Sequence, residues 1–231
     1  MSFTRTVGQI VELGQRRADK QTDSHVDTED WKGFLSELYG ELHAAAVDVG
    51  ARYFETEATI TATGASSYSL PSDHLTTIGV DYVDSASNRQ PLVELMVQER
   101  WAFGAVTGQA QMFAFTGTSI MLYPNPASGS YKHLYAPQPT DYSSASNSTS
   151  VDLINTHGLS FVVWGMAALG QNKGSDDQIR SIGERDAAKE RFVEAAVRRA
   201  LTMPRRKQVN SVDLGLGLET GFLPGSRSWN P

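Results

Sequence analysis

Cysteine is absent from this 231-residue chain. That excludes a disulfide framework and a thiolate metal centre, leaving His and carboxylates as the only ligands for a zinc ion. The five histidines, His25, His43, His74, His133 and His157, show no H-E-x-x-H or comparable spacing, so no metal is expected. Asp73-His74 is the only adjacent acid–imidazole pair. Neighbours on an extended segment point to opposite faces, and no G-x-S-x-G elbow accompanies them. Gly215, Gly217 and Gly221 lack the strand–helix unit and the lysine that a phosphate loop needs. The acidic stretch from Asp19 to Asp30 lacks the Gly and terminal Glu of an EF-hand. The expectation is a chain with no catalytic residue and no cofactor, and Trp31 and His43 read as packing residues.

Long apolar runs are also missing. The longest, Leu159 to Leu169, is too short to span a bilayer, and Met1-Ser2-Phe3-Thr4-Arg5 lacks the apolar stretch of a signal peptide. A soluble protein that does not engage a membrane is expected. Basic charge is not in excess either: the formal net charge is -6, against the basic surface of a general nucleic-acid binder. The charge is unevenly placed. Arg198, Arg199, Arg205, Arg206 and Lys207 gather at one helix end, where they either complement the helix dipole or form a collar for a partner.

What is present is 40% hydrophobic content, enough for one sizeable core. A first helix is expected from about Thr4 to Asp19. A second, capped by Asp27 or Thr28, carries Trp31, Phe34, Leu35, Leu38, Leu42, Ala45, Ala46 and Val49 at helical spacing up to about Tyr53. From Glu55 the period becomes twofold. Ala58, Ile60 and Ala62 lead through Thr63-Gly64-Ala65 to Ser67–Leu70 as a hairpin. Ile78, Val80 and Tyr82 form another strand before the polar turn Ser85 to Asn88, and Leu92 to Phe103 reads as a short helix. Phe113 and Phe115, Ile120 and Leu122, then Tyr131, His133 and Tyr135 supply three more strands.

After a Ser-rich connection, Thr149 or Ser150 is expected to cap an apolar third helix with Asp152 in its first turn. A fourth helix starts at Ser175-Asp176-Asp177, where Ser175 and Gln178 have capping-box spacing, and runs to Met203. The predicted fold class is α+β: a four-helix scaffold with an inserted small antiparallel β-subdomain and an extended C-terminal tail. The expected divisions are 1–54 and 141–207 for the helical domain, 55–140 for the insertion and 208–231 for the tail.

That tail is Gly-, Ser- and Pro-punctuated yet carries large apolar residues, which a solvated tail should lack. Leu214, Leu216 and Leu218 alternate with glycine, so an extended chain puts the leucines on one side and bare backbone on the other, the pattern of an added strand. Phe222, Leu223 and Trp229 read as anchors. Either the tail folds back over its own domain or it docks on another chain. Docking is favoured because Pro204-Arg205-Arg206-Lys207 leads the chain away from the core.

Leu70-Pro71-Ser72-Asp73-His74-Leu75, the strand Ile78 to Tyr82, and Asn88-Arg89-Gln90-Pro91-Leu92 together resemble a pattern of tailed-phage head-to-tail connector (adaptor) proteins. Leu122-Tyr123-Pro124-Asn125-Pro126, followed by Tyr131 to Ala136 and Pro139, is similar to that family's L-Y-P-x-P turn and following strand. The resemblance spans roughly Asp27 to Met203 and is strongest in the β insertion. It implies a structural virion protein: a homo-oligomeric ring, usually of twelve subunits, beneath the portal protein at the virion neck. Such a ring extends the DNA channel and offers the tail a docking surface. The partners implied are the portal, a tail or neck protein, and DNA passing non-specifically. Leu214, Leu216, Leu218, Phe222, Leu223, Trp229, Arg205, Arg206 and Lys207 are then the candidate residues for docking on the portal or a neighbour. The rival readings are a tail-terminator or other tail component, which calls for a larger continuous sheet, and a DNA-binding packaging protein, which the charge disfavours.

Overall fold

A computed structural model describes residues 4–20, 26–50, 52–95, 106–173 and 179–202. The fold is α+β, with four helices and ten short strands among these residues. The chain divides into two compact units. The first holds the described residues up to Thr56, Asp73–Thr77 and the stretch from Tyr135 to the end of the last helix; the second holds Glu57–Ser72 and Ile78–Leu134.

The first unit is helical. Helix α1 (Val7–Ala18) starts at a reciprocal cap: Thr6 Oγ1 accepts from the Gln9 amide at 3.3 Å and Gln9 Oε1 accepts from the Thr6 amide at 3.2 Å. The helix does not extend back to Thr4, as its pattern suggests. Thr4–Thr6 is strand β1, paired antiparallel with β10 (Ser150–Asp152) through Thr4↔Asp152 and Thr6↔Ser150. That pairing also displaces the start of the third helix. Val151 and Leu153, both fully buried, alternate as on a strand. Helix α3 begins only at Thr156, with Asn155 Oδ1 accepting from the Gly158 amide at 2.9 Å.

Helix α2 (Thr28–Asp48) carries an Asp27/Asp30 capping box. It stops at Asp48 rather than near Tyr53 because Gly50 and Arg52 take left-handed φ values of 67° and 51°, which no helix continues through. Helix α3 (Thr156–Lys173) packs against α1, α2 and α4 (Ile179–Thr202). It buries Phe161, Val162, Val163, Met166, Ala167 and Ala168, in keeping with its nearly all-round apolar sequence. Phe161, Trp31, Leu35, Ile10 and Phe192 belong to one core. Full burial of Phe161 or Phe192 contributes about 1.5–3 kcal/mol each. The expected Ser175/Gln178 cap lies outside the described residues.

The second unit contains two four-stranded sheets. One is ordered β2 (Thr56–Thr61), β9 (Ser130–Pro137), β4 (His74–Val83), β5 (Arg89–Pro91). The other is ordered β3 (Tyr68–Ser69), β8 (Ser119–Tyr123), β7 (Met112–Thr116), β6 (Val93–Glu94). The boundary between the units falls within β4 and β9.

The hairpin expected around Gly64 is not formed. β2 pairs with β9, while β3 pairs with β8 through Tyr68↔Ile120. Gly64 instead donates to the Pro126 carbonyl at 3.1 Å, and Ile60, Ile120 and Tyr131 bury one another in a shared core. Nor does a helix begin at Leu92. Leu92 and Leu95 are buried on either side of β6, which pairs parallel with β7 through Val93↔Met112; residues 96–103 of that expected helix lie outside the described residues. This parallel pair is a departure from an all-antiparallel insertion. The remaining strands fall where their alternation places them, with β7 and β8 joined through Gly117 at φ 59°.

Candidate docking site

The nine residues singled out for docking, Arg205, Arg206, Lys207, Leu214, Leu216, Leu218, Phe222, Leu223 and Trp229, lie outside the described residues. What the structure places is the surface from which they depart, the last turns of α4. This helix buries Ser181, Ala188, Phe192 and Ala196 towards the core. Val197 and Leu201 point outward, and Leu201 is 66% exposed. An exposed Val and Leu one turn apart form a small apolar strip directly before the tail.

Two members of the basic cluster can be placed. The Arg199 guanidinium lies 4.2 Å from the centroid of the Tyr53 ring, a cation–π contact that fastens the end of α4 to the segment after α2. Arg198 stands 3.5 Å from Glu194, with both side chains largely in solvent, so the pair adds little. Thr202 Oγ1 donates to the Arg199 carbonyl at 2.9 Å and satisfies one of the free carbonyls of the last turn.

His43 and Trp31 are taken up by packing. His43 is buried on α2, its ring stacked on Phe54 at 4.1 Å between centroids, and neither ring nitrogen has a hydrogen-bond partner. Burial holds its pKa below the ordinary imidazole value, so the ring is neutral. Trp31 is fully buried, edge-on to Phe34 at 5.8 Å. Both are packing residues, as the lack of any metal-ligand spacing around them suggests.

Asp73 and His74 each have a hydrogen-bonding partner of their own. Tyr135 Oη donates to Asp73 Oδ1 at 3.0 Å, and His74 Nε2 is 2.9 Å from Thr77 Oγ1. Burial lowers the His74 pKa, and the Asp73 charge works against that shift. The Tyr135 hydroxyl is held above its ordinary range by burial and by the Asp73 carboxylate. The cluster ties the start of β4 to the end of β9. Among the described residues, no group of three or more His, Asp or Glu is placed to hold a metal ion.

The chain is α+β, and its Asp73 and His74 are engaged in contacts at the strand ends. Its sequence matches the family described as SU10 adaptor protein over residues 5–213. The chain belongs to the SU10 adaptor protein family. No curated protein matches the sequence. The family match takes in Arg205, Arg206 and Lys207 and ends one residue before Leu214. Membership makes the adaptor a phage virion component that meets other head or tail proteins. Among the described residues, no helix of the adaptor is long and apolar enough to cross a membrane.

Sequence reasoning missed the strand pairing of β1 with β10 and the division of the insertion into two sheets. Thr4-Arg5-Thr6 has the β-favouring threonines of a strand. No local signal names a partner nearly 150 positions away.

Proposed function

We propose that this adaptor is the head-to-tail connector of a tailed phage. Identical subunits, twelve by family resemblance, form a ring beneath the portal, extend the DNA channel and offer the tail its attachment surface. The single observation that carries the reading is the family match, which covers nearly the whole chain. The physical properties support it. A net charge of -6 suits a channel wall that repels phosphate and lets DNA slide without sticking. A body built of helices packed around α3 suits a rigid ring subunit, and neighbours in such a ring meet by a heterologous contact that closes by rotation.

In this reading the helices form the ring body, the β insertion faces tail-side or outer neighbours, and the segment 208–231 is the docking arm. Arg205, Arg206 and Lys207 form a collar, Leu214, Leu216 and Leu218 add a strand or line a crevice, and Phe222, Leu223 and Trp229 anchor the arm on the portal. The adaptor works as a structural component, with no catalytic residue and no cofactor. A chain ending at Lys207 should fold and yet fail to bind portal-containing heads. Undiminished binding by that truncation rules the arm out. Mass measurement of the full chain, alone and with purified heads, tests the ring itself.

A further inference from the structure

Sheet edges in soluble proteins are blunted, because an open row of N–H and C=O groups recruits another strand. Among the described residues, three of the four edges of the two four-stranded sheets follow that rule. β5 has three residues and ends in Pro91, and β3 and β6 have two residues each. The fourth, β2, does not. It runs for six residues, Thr56–Thr61, with neither proline nor lysine, and β9 is its one hydrogen-bonded neighbour among the described residues.

The direction of its free groups follows from one hydrogen bond. The Ala62 amide donates to the Gly129 carbonyl, just before β9, at 2.9 Å. Backbone groups alternate sides along a strand, so Ala58 and Ile60 face β9, and Glu57, Thr59 and Thr61 turn their N–H and C=O groups to the open side. The side chains leave that side uncovered. Glu57 is drawn along the sheet to Arg89 of β5 at 2.6 Å, and Thr59 Oγ1 accepts from Lys132 of β9 at 2.8 Å. On the opposite face, Ala58 is half-buried and Ile60 buried. An added strand that suits this edge presents apolar side chains at alternate positions beside Ile60 and carries no proline, while the exposed face of Glu57 and Thr59 asks for no apolar side chain.

One segment of this chain has that pattern: Leu214-Gly215-Leu216-Gly217-Leu218. We propose that the open edge of β2 in one copy receives Leu214–Leu218 of a second copy as an added strand, leucines continuing the Ile60 face and glycines the Thr59 face. The inference deepens the ring reading above and rests on it. A donor segment and an acceptor edge on different parts of one chain make a heterologous contact that repeats from copy to copy. It assigns the leucine–glycine half of the arm to the neighbouring subunit and leaves Phe222, Leu223 and Trp229 for the portal.

The absence of cysteine makes the test clean. Full-length Thr59→Cys and Gly217→Cys chains are mixed with purified heads and oxidised, with Gly215→Cys run in parallel to read a register shifted by two residues. Same-face positions on paired strands lie within disulfide reach. The expected result is a covalent dimer from the mixture and none from either chain alone. A chain carrying both Thr59→Cys and Gly217→Cys should give a ladder of linked copies. If instead it closes on itself as a monomer, the second-copy assignment is overturned. If rings are seen by mass and the mixture gives no dimer, the inference falls and the ring reading stands. If no ring is seen under any condition, the ring reading fails and takes the inference with it. Thr59→Pro removes a single outward N–H and spares the ladder to β9, so it should keep the native circular dichroism and lose ring formation. Rings that form normally with Thr59→Pro also overturn the inference.

Discussion

Gly170 lies so close to the indole of Trp31 that a Cβ on it would fall 2.3 Å from Trp31 Cη2. The same helix repeats the device one and a half turns earlier, where a Cβ on Gly165 would sit 2.6 Å from Leu38 Cδ2. These bare positions let α3 approach α2 closely enough to seat a fully buried tryptophan. Gly170→Ala should therefore destabilise the adaptor even though alanine is the better helix former. The expected loss is about 1–3 kcal/mol from overpacking, less whatever helix propensity returns. Urea unfolding measures it, and an unchanged midpoint contradicts the close contact. Trp31→Ala, which opens a cavity at the same place, should cost about 3–5 kcal/mol.

The His43 ring makes stability depend on pH. Burial lowers its pKa in the folded state, so below the unfolded value near 6.5 the unfolded chain binds more protons than the folded one. Its contribution is complete above pH 6.5 and is lost as the pH falls towards the folded-state value. His74 acts with the same sign. Tm should fall between pH 7 and pH 5, and His43→Phe should flatten that fall without abolishing it. A fall of the same size in His43→Phe excludes the ring as its source.

At the start of α2, Asp27 and Asp30 satisfy each other's backbone amides at 2.8 and 3.1 Å. Asp27→Ala should cost about 1 kcal/mol, and Asp27→Ser much less, because a hydroxyl still accepts the first-turn amide. Thermal unfolding of the two variants side by side decides it. Equal loss in both points to something other than the cap.

The two halves of the C-terminal arm should separate in function. Replacing Phe222, Leu223 and Trp229 together by Ala should weaken binding to heads by a factor of about 30 or more, the scale of an aromatic hot spot. It should leave ring formation intact. Leu216→Asp should do the reverse and reduce ring formation first. Sedimentation of each variant with and without heads reads both effects, and a common loss in both assays rejects the division.

The helices were legible because packing a helix leaves a local record. Leu35, Leu38, Leu42 and Ala46 recur one turn apart and are all buried, and the Asp27 cap sits just ahead of them. The strands Met112–Thr116, Ser119–Tyr123 and Ser130–Pro137 were legible by their alternation for the same reason. The misreadings share one cause. Thr4–Thr6 and Ser150–Asp152 each continue smoothly into a helical pattern, and only their mutual pairing holds them extended. Tyr68–Ser69 looked like the return strand of a hairpin, yet its hydrogen bonds go to β8, some fifty residues on.

The α+β make-up, the lack of cysteine, the acidic charge and the alternating leucine–glycine pattern of the tail can all be read along the chain. Those properties are summed over residues or repeat within a few positions of one another. Packing in three dimensions chose which strand lies beside which, made α3 the helix the others pack around, and left β2 as a long unblunted edge among the described residues. An edge is defined by the absence of a neighbour, and a neighbour is chosen by burial among residues far apart in the chain.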